Sequence, residues 1–195
     1  MIYRVLQLPD PVLRELCVPV EAITPALLRL VDDLYATMQV HNGLGLAAPQ
    51  IGLPLRVAVI ELPKEEDDPQ AGLRYTLINP VIVRPGKPVP MWEACLSIPN
   101  FYGRVERAEQ VTVEYTGLDG ARVRLKAQGL LAHAVQHELD HLDGVLFIDR
   151  LDSVLELRQY VPDELRWRRP GEPVDDEDGD DEELGEQVGP QAATA

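Results

Sequence analysis

The sequence predicts an α+β fold in which most strands pair antiparallel. Two segments with helical periodicity, at about residues 24–41 and 130–141, flank a middle region that is rich in β-branched residues and interrupted by turns. Strands that follow one another between helices, instead of alternating with them, are typical of antiparallel sheets. No internal repeat is present, and residues 1–168 are interpreted as one main domain.

The first helix is predicted to begin at Thr24, a good N-cap, with Pro25 in the first helical position. Apolar residues then recur at three- and four-residue spacing and form one face. These are Leu27, Val31, Leu34 and Met38. Asn42-Gly43 is predicted to end the helix.

The middle of the chain is predicted to form strands, followed by a second and a third helix. Pro63 to Gly72 is expected to be an exposed loop, and Leu118-Asp119-Gly120 a hairpin connection. The predicted strands are 56–62, 75–83, 111–117 and 121–127. The second helix is predicted over Leu130 to His141, and the last over Val154 to Tyr160.

The net charge of −15 is concentrated near the C-terminus. Ten acidic residues and no basic ones lie between Glu172 and Glu186, and the remaining 23 acidic and 18 basic residues carry only −5. Such a segment buries little and repels itself, so residues 169–195 are expected to be a disordered acidic tail. The charge balance predicts no DNA partner.

The N-terminus lacks the long apolar stretch of a signal peptide, and no apolar run is long enough to cross a bilayer. A cytoplasmic location and no membrane partner are therefore predicted. With only Cys17 and Cys95, a disulfide framework is not expected. Cys17, in an apolar stretch, is interpreted as a buried small hydrophobe.

The strongest motif is HELDH, residues 137–141. His137 and His141 are four residues apart, so on a helix their side chains lie on one face and can bind one divalent ion. Glu138 is placed to take a proton from a water molecule that the ion activates. A helix with incidental histidines is the alternative interpretation.

His133 is also four residues from His137, but three histidines at these spacings span about 12 Å of helix. His133 is therefore expected to pack one turn away from the ion. The third ligand determines the enzyme class. Phe147 occupies the position where metzincin proteases have their third histidine, whereas Glu156 and Glu164 are formal candidates without a supporting pattern.

Cys95 is the remaining soft ligand. It lies in MWEACLSIP, which is interpreted as a connection between strands. A thiolate there would complete a Cys–His–His site with an open fourth position, the arrangement of catalytic metal sites. Alternatively, Cys95 is a buried thiol.

The glycine-rich segment NGLGLAAPQIG, residues 42–52, is a second candidate site element. It lacks the lysine and glycine order of a phosphate cradle, and a simple turn is the alternative. Gln50 is polar in an otherwise apolar loop and suits stabilisation of an oxyanion.

Three segments in this order, GLGLAAPQIG, EACLS and HELDH, resemble the signature motifs of the peptide deformylases. The resemblance extends from the N-terminus to about Leu151 and includes GVLFIDRL. Ala94 stands where this family usually has glycine, which could narrow the substrate groove. The acidic tail is a second departure from the family.

The resemblance implies an α+β fold with antiparallel β-sheets packed around a central metal-binding helix. By position it implies Cys95, His137 and His141 as metal ligands and Glu138 as general base and then acid. It further implies an oxyanion hole from Gln50 and the backbone N–H of Leu96. Gly45 would pair with the peptide main chain.

The implied reaction is metal-dependent hydrolysis of the N-formyl group from the initiator methionine of nascent proteins, with release of formate. The resemblance implies Fe²⁺ in the cell, with Zn²⁺, Ni²⁺ or Co²⁺ able to occupy the site. N-formylmethionyl nascent peptides are the expected partners, with transient ribosome association as a further hypothesis.

Two other functions are compatible with the motifs. One is an HExxH peptidase, which would share the same chemistry. The other is a metal-structured binding module without catalysis, such as a ribosome-associated factor. Glu138 argues against that module, because a purely structural site needs no base beside its first ligand, and such sites are usually closed by four protein ligands.

Overall fold

The computed structural model describes residues 1–65 and 68–160. Two α-helices and eight strands lie within them, together with short 3-10 turns. The helices are α1 (Pro25–Val40) and α2 (Gly129–Leu142). The strands are β1 (Gly45–Ala47), β2 (Val57–Glu61), β3 (Arg74–Pro85), β4 (Pro88–Cys95), β5 (Ile98–Ala108), β6 (Gln110–Thr116), β7 (Arg122–Gln128) and β8 (Leu157–Gln159).

Helix α1 forms as its sequence predicts. The Thr24 side chain accepts a hydrogen bond from the backbone N–H of Leu27 at 3.2 Å, and Pro25 occupies the first turn. The four residues of the predicted apolar face are all buried. Asn42 then adopts a left-handed conformation with φ of 54°, which turns the chain away from the helix axis.

A five-stranded antiparallel sheet has the order β1-β2-β3-β6-β7. Its strands β2, β3, β6 and β7 confirm the four strands predicted from β-branched segments. Residues 117–121 connect β6 to β7 as a hairpin. At the opposite edge, β1 pairs only with β2, so within the described residues its other side has no strand neighbour.

A three-stranded antiparallel sheet has the order β4-β5-β8, and the sequence did not predict it. The segment around Cys95 was interpreted as a connection but forms the end of β4. Pro88 and Pro90 interrupt the strand pattern of this segment. Proline is tolerated here because β4 is an edge strand, where an N–H can be missing without loss of a sheet hydrogen bond.

The predicted last helix, Val154 to Tyr160, is wrong. The chain makes a single 3-10 turn at Val154–Glu156 and continues as β8, which pairs with Phe101–Gly103 of β5. The segment is too short for a stable isolated helix, and the open edge of β5 offers backbone partners. Long-range strand pairing therefore overrides the local helical pattern.

Helix α2 is the centre of the molecule. It packs against β1, β2 and β7 of the larger sheet and against β5 of the smaller one. Eleven of its 14 residues are buried, including both histidines of HELDH. The expected α+β fold, with antiparallel sheets around a central helix, is confirmed. No helix among the described residues is both long and apolar enough to cross a membrane.

Two further predictions concern regions away from the helix. Cys17 is buried beside Ala47, Ala58 and Leu142, as expected, and burial raises the pKa of its thiol to about 11. The predicted domain boundary at residue 168 and the acidic tail lie outside the described residues.

Candidate metal centre

Three potential metal ligands from two elements meet beside α2. Cys95 is the last residue of β4, and His137 and His141 lie one turn apart on α2. One ligand atom from each residue lies within 4.8 Å of the other two, and all three side chains are buried. Sγ of Cys95 is 3.2 Å from Nε2 of His141. The structure thus brings together the three residues that the motifs singled out.

The local backbone explains this convergence. The four-residue spacing in α2 places the two imidazoles on one face, with ring centroids 5.0 Å apart. In β4 the pairing register shifts between Ala94 and Cys95, so Cys95 pairs with Ile98 at the tight turn into β5. A β-bulge of this kind redirects a side chain at the end of a strand.

His137 is oriented by a second carboxylate. Its Nδ1 lies 2.8 Å from Oε2 of Glu93. Its Nε2 is buried and has no hydrogen-bond partner among the described residues. A buried imidazole nitrogen without a partner costs free energy unless something else occupies it, and a divalent metal is the ordinary occupant beside a thiol and a second imidazole. The residues present therefore fit a metal ion.

Glu138 faces the same region. Its side chain is fully buried, and neither carboxylate oxygen has a hydrogen-bond partner in residues 1–65 and 68–160. Burial raises the pKa of this carboxyl well above its usual range. A carboxylate held free in a buried site is available to exchange a proton with a substrate or with water.

Gln50 lies against the thiol of Cys95. It belongs to a 3-10 turn, Ala48–Ile51, and is fully buried. Its Oε1 accepts a hydrogen bond from the backbone N–H of Ala47 at 2.8 Å, which directs Nε2 towards Ser97 Oγ at 3.2 Å and Cys95 Sγ at 3.7 Å. The amide thus presents an N–H donor at the metal centre.

Leu96 and Gly45 were also predicted as site residues. Leu96 follows Cys95 directly, at the turn between β4 and β5, and its side chain packs against the apolar cluster of α1. Gly45 begins β1, the edge strand of the larger sheet, and pairs with Ile60 on one side. Ala94, the departure from the family motif, pairs with Tyr102 on β5.

His133 does not join the metal group, as its spacing predicted. It is buried one turn before His137, and burial lowers the pKa of its imidazole to about 4. Its Nε2 has no hydrogen-bond partner in the part of the protein that the structure describes. Glu156 lies on the short turn before β8 and is not part of the group either, and Glu164 lies outside the described residues.

The motifs did not indicate the charged residues behind His137. Glu93 lies within the EACLS motif, but its sequence context predicted no role for it, nor for Arg107 or Asp140. Arg107 binds Glu93 and Asp140 in a buried ion-pair network. Burial alone would raise the pKa of Glu93, but hydrogen bonds from His137 and Arg107 bring that pKa well below its usual range. Glu93 lies two residues before Cys95, a spacing that puts side chains on one face of a regular strand, but the register shift at Cys95 breaks that alternation.

Comparison with known proteins gives a consistent family. Residues 2–156 match the family model described as "Polypeptide deformylase". A peptide deformylase of Thermomicrobium roseum is 48% identical over 159 residues, which cover 80% of this chain and 88% of that protein.

Solved structures agree with this result. The crystal structure of a Legionella pneumophila peptide deformylase matches with a TM-score of 0.73 and 40% identity, and the match covers 80% of this chain and 89% of that one. A Met-Ala-Ser-bound class I type b enzyme from Acinetobacter baumannii matches with a TM-score of 0.73 and 35% identity, covering 77% of this chain and 99% of that one. The metal-ligand geometry, the fold and these matches together show that the chain belongs to the peptide deformylase family.

Proposed function

We propose that this chain hydrolyses the N-formyl group from the N-terminal methionine of newly synthesised proteins and releases formate, with Glu138 as the proton carrier. One observation carries the assignment of roles. The unpartnered carboxylate of Glu138 lies next in the chain to His137, whose ligand atom is within 4.8 Å of those of Cys95 and His141. A structural metal site would need no such carboxylate.

Cys95, His137 and His141 would hold the metal ion. One thiolate and two imidazoles leave a fourth position open, which is the arrangement of catalytic sites. When bound, the ion supplies Lewis-acid chemistry, polarising the formyl carbonyl and making water a nucleophile at neutral pH. The bond between the formyl carbon and the peptide nitrogen is the one that breaks.

Glu138 would act twice in this reaction. It first takes a proton from the attacking water and then gives that proton to the departing amine, so the peptide leaves with a free N-terminus. General acid–base help of this kind contributes typically 10²–10⁴-fold to a rate. Because neither oxygen of Glu138 is engaged by the protein, no internal hydrogen bond must break before the first proton transfer.

Gln50 and the backbone N–H of Leu96 would stabilise the negative charge that develops on the formyl oxygen. Gln50 is fixed by its bond to Ala47 and by Ser97, so its donor is already oriented before the substrate arrives. A preorganised donor stabilises a transition state more than a mobile one does.

Gly45 would bind the substrate main chain. An edge strand presents unpaired N–H and C=O groups, and an extended peptide can add to it as a further strand. β1 is such an edge strand, and the 3-10 turn that follows it, Ala48–Ile51, carries Gln50. A peptide bound along β1 would therefore run towards the metal centre.

The ion itself is inferred from the family resemblance. We propose Fe²⁺ in the cell, with Zn²⁺, Ni²⁺ or Co²⁺ able to bind, since Cys/His ligation suits several late first-row metals. An iron site with a thiolate ligand would be sensitive to oxygen, because Cys95 can be oxidised. Metal analysis of protein purified without oxygen tests this, and zinc alone in that preparation would contradict it.

Nascent formylmethionyl chains are the proposed partners, and transient association with the ribosome would bring the enzyme to them. Because those chains arise in the cytoplasm, we propose a cytoplasmic location. Co-sedimentation of the full chain with ribosomes at low and moderate salt tests the association.

The decisive experiment measures formate release from formyl-Met-Ala-Ser by anaerobically prepared, iron-loaded protein. We expect Glu138→Ala and Glu138→Gln to retain the metal and to lose roughly 10²–10⁴-fold in kcat. Glu156→Ala, which removes a glutamate outside the metal centre, is the matched control and should retain activity. Near-normal turnover by both Glu138 variants would remove Glu138 from the mechanism.

The substrate assignment is tested in the same samples. An HExxH peptidase would cleave an internal bond of an unformylated peptide, whereas the proposed reaction requires the formyl group. If correctly metallated protein released no formate but cleaved peptides, the peptidase interpretation would replace the deformylase one.

A further inference from the structure

A continuous chain of charged hydrogen bonds leads from His137 to the protein surface. Glu93 accepts from His137 at 2.8 Å and binds Nε and Nη2 of Arg107 at 2.6 and 3.0 Å. Nη1 of Arg107 donates to Asp140 at 2.6 Å. Asp140 also accepts from Nε and Nη2 of Arg150 at 3.0 and 2.7 Å.

This hydrogen-bond chain connects four separate parts of the fold. Glu93 lies on β4, Arg107 on β5, Asp140 on α2 and Arg150 at the end of the 3-10 turn Phe147–Arg150. The side chains become more exposed along it, from 3% for Glu93 and 4% for Arg107 to 10% for Asp140 and 47% for Arg150. Asp140 and Arg150, the outer end of this hydrogen-bond chain, line a surface groove of about 430 Å³.

The inner part of the hydrogen-bond chain fixes the orientation of the Glu93 carboxylate. The forked guanidinium of Arg107 binds both oxygens of Glu93, and a two-point contact fixes the plane of a carboxylate. One of those oxygens, Oε2, is the atom that faces Nδ1 of His137. The orientation of the imidazole is therefore set by a carboxylate that is itself held in place.

The outer part holds Arg107 in the same way. Buried charges are costly unless each is paired, so Arg107 needs both Glu93 and Asp140. Asp140 is in turn held by two donors of Arg150. Asp140 and His137 lie three residues apart on α2, so the chain returns to the helix that carries the histidine.

We propose that Glu93, Arg107 and Asp140 are positioning residues that keep a proton on Nδ1 of His137 and its Nε2 towards the metal, with Arg150 as the outer end of the chain. The inference rests on the proposed role of His137 as a metal ligand. Hydrogen-bond partners of a ligating histidine fix its tautomer and raise its basicity, and their loss typically costs 10–100-fold in metal affinity or activity.

The test measures metal affinity instead of turnover. Full-length protein is loaded with Co²⁺, and its dissociation constant is determined by competition with a chelator while the visible absorption bands report the ligand geometry. The variants are Glu93→Gln, Glu93→Met and Arg150→Ala. Arg14→Ala is the matched control, because Arg14 pairs with Asp149, the neighbour of Arg150, but does not touch the chain to His137.

Glu93→Met should weaken Co²⁺ binding by about 10–100-fold and shift the absorption bands. Glu93→Gln should weaken it less, because an amide oxygen can still accept from His137. Arg150→Ala should weaken binding less than either Glu93 variant but more than Arg14→Ala. The effects are thus ordered by distance along the chain.

A purely structural network would behave differently. It would lower the melting temperature of the variants but leave the Co²⁺ affinity and spectrum of the folded protein unchanged, and that result would overturn the proposal. If the Glu93 variants do not fold, Arg150→Ala decides the matter by comparison with Arg14→Ala, since both arginines are partly exposed. Equal Co²⁺ affinity in those two variants would show that Arg150 does not influence His137, and it would refute the proposal that the hydrogen-bond chain positions this ligand.

These outcomes are separate from the fate of the proposed function. Failure of the unaltered protein to release formate would contradict the proposed reaction, but it would not affect the comparison of Co²⁺ affinities among the variants. Conversely, a loss of Co²⁺ affinity in the predicted order of variants would support the positioning role of these residues even if the physiological substrate proved to be different.

Discussion

Two buried glutamates beside His137 illustrate how environment assigns roles to identical side chains. Glu93 is bound by His137 and by two nitrogens of Arg107, and these bonds keep its pKa well below the usual range although burial opposes them. Glu138 has no hydrogen bond, and burial raises its pKa well above the usual range. Carboxyl groups whose pKa values are moved in opposite directions commonly divide orienting and proton-transfer roles in one site.

The third ligand gives a residue-scale prediction. Cys95→Ala removes the only thiol of the metal group, so we expect metal affinity to fall by more than the roughly 10–100-fold typical of residues that merely hydrogen-bond to a ligand. Metal content after dialysis against a weak chelator measures this. Cys17→Ala, which deletes an equally buried thiol outside the site, should retain the metal. An unchanged affinity in Cys95→Ala would require another ligand.

Residue types at fixed spacing indicated most of the candidate metal centre. His137 and His141 were predicted as a pair from their helical spacing, Glu138 from its place beside His137, and Cys95 from the ordered motifs. Glu93 was not predicted because its role depends on its strand neighbours. Even with the strands known, pairing places Glu93 opposite Gly103 and Arg107 opposite Val89, so only the side-chain contacts of the folded protein relate these two residues.

At the scale of elements, the C-terminal end of α2 is fixed by a close backbone contact. Gly144 has a φ of 70°, and a Cβ built there would lie 2.7 Å from the carbonyl oxygen of Arg14. The 3-10 turn Pro11–Arg14 thus packs directly against Gly144, two residues after the end of α2. This contact sets where the helix stops relative to the N-terminal segment.

Gly144→Ala should therefore destabilise the protein in two ways. A left-handed conformation costs a non-glycine residue about 1–2 kcal/mol, and the collision with Arg14 adds to it. Gly120→Ala is the matched control, because Gly120 has a φ of 81° but nothing within 4 Å of its would-be Cβ. Urea unfolding of both variants measures the difference. Equal losses of unfolding free energy would show that the segment around Arg14 yields without cost.

Elements with strong local signals were predicted well, and those that depend on distant partners were not. Helix α1 carries its own cap, its own proline and an uninterrupted apolar face, so its bounds follow from the sequence. Strand β8 has three residues and exists because β5 offers an edge. Strand β4 is interrupted by prolines, and only its pairing with β5 identifies it as a strand.

At the scale of the whole molecule, the candidate site forms where the two sheets meet α2. Cys95 comes from the smaller sheet, the two histidines from the helix, and Gly45, the proposed substrate-binding residue, from the edge of the larger sheet. No single helix or strand among the described residues holds the whole candidate site. The motifs could indicate that these residues act together, but only the tertiary packing of both sheets on α2 brings them together.

The last prediction concerns the effect of deleting the acidic C-terminal segment. Residues 170–195 contain ten acidic residues and no basic ones, so deleting them changes the net charge from −15 to −5. The remainder of the chain is itself negative, and like charges repel over distances comparable to the Debye length of about 8–10 Å. Electrostatics therefore disfavours docking of this segment on the catalytic domain. We expect truncation after Arg169 to change the melting temperature by less than about 2 °C and to leave formate release unaltered.

A full-length variant with the ten acidic residues replaced by their amides separates charge from length. If the segment makes no contact with the catalytic domain, this variant, the truncated chain and the natural chain should unfold at the same temperature in 150 mM salt. At low salt, both altered chains should be slightly more stable than the natural one, because its self-repulsion is then least screened. A loss of several degrees on truncation but not on neutralisation would show instead that the segment packs on the domain through uncharged contacts, and the domain would then have to be extended beyond residue 168.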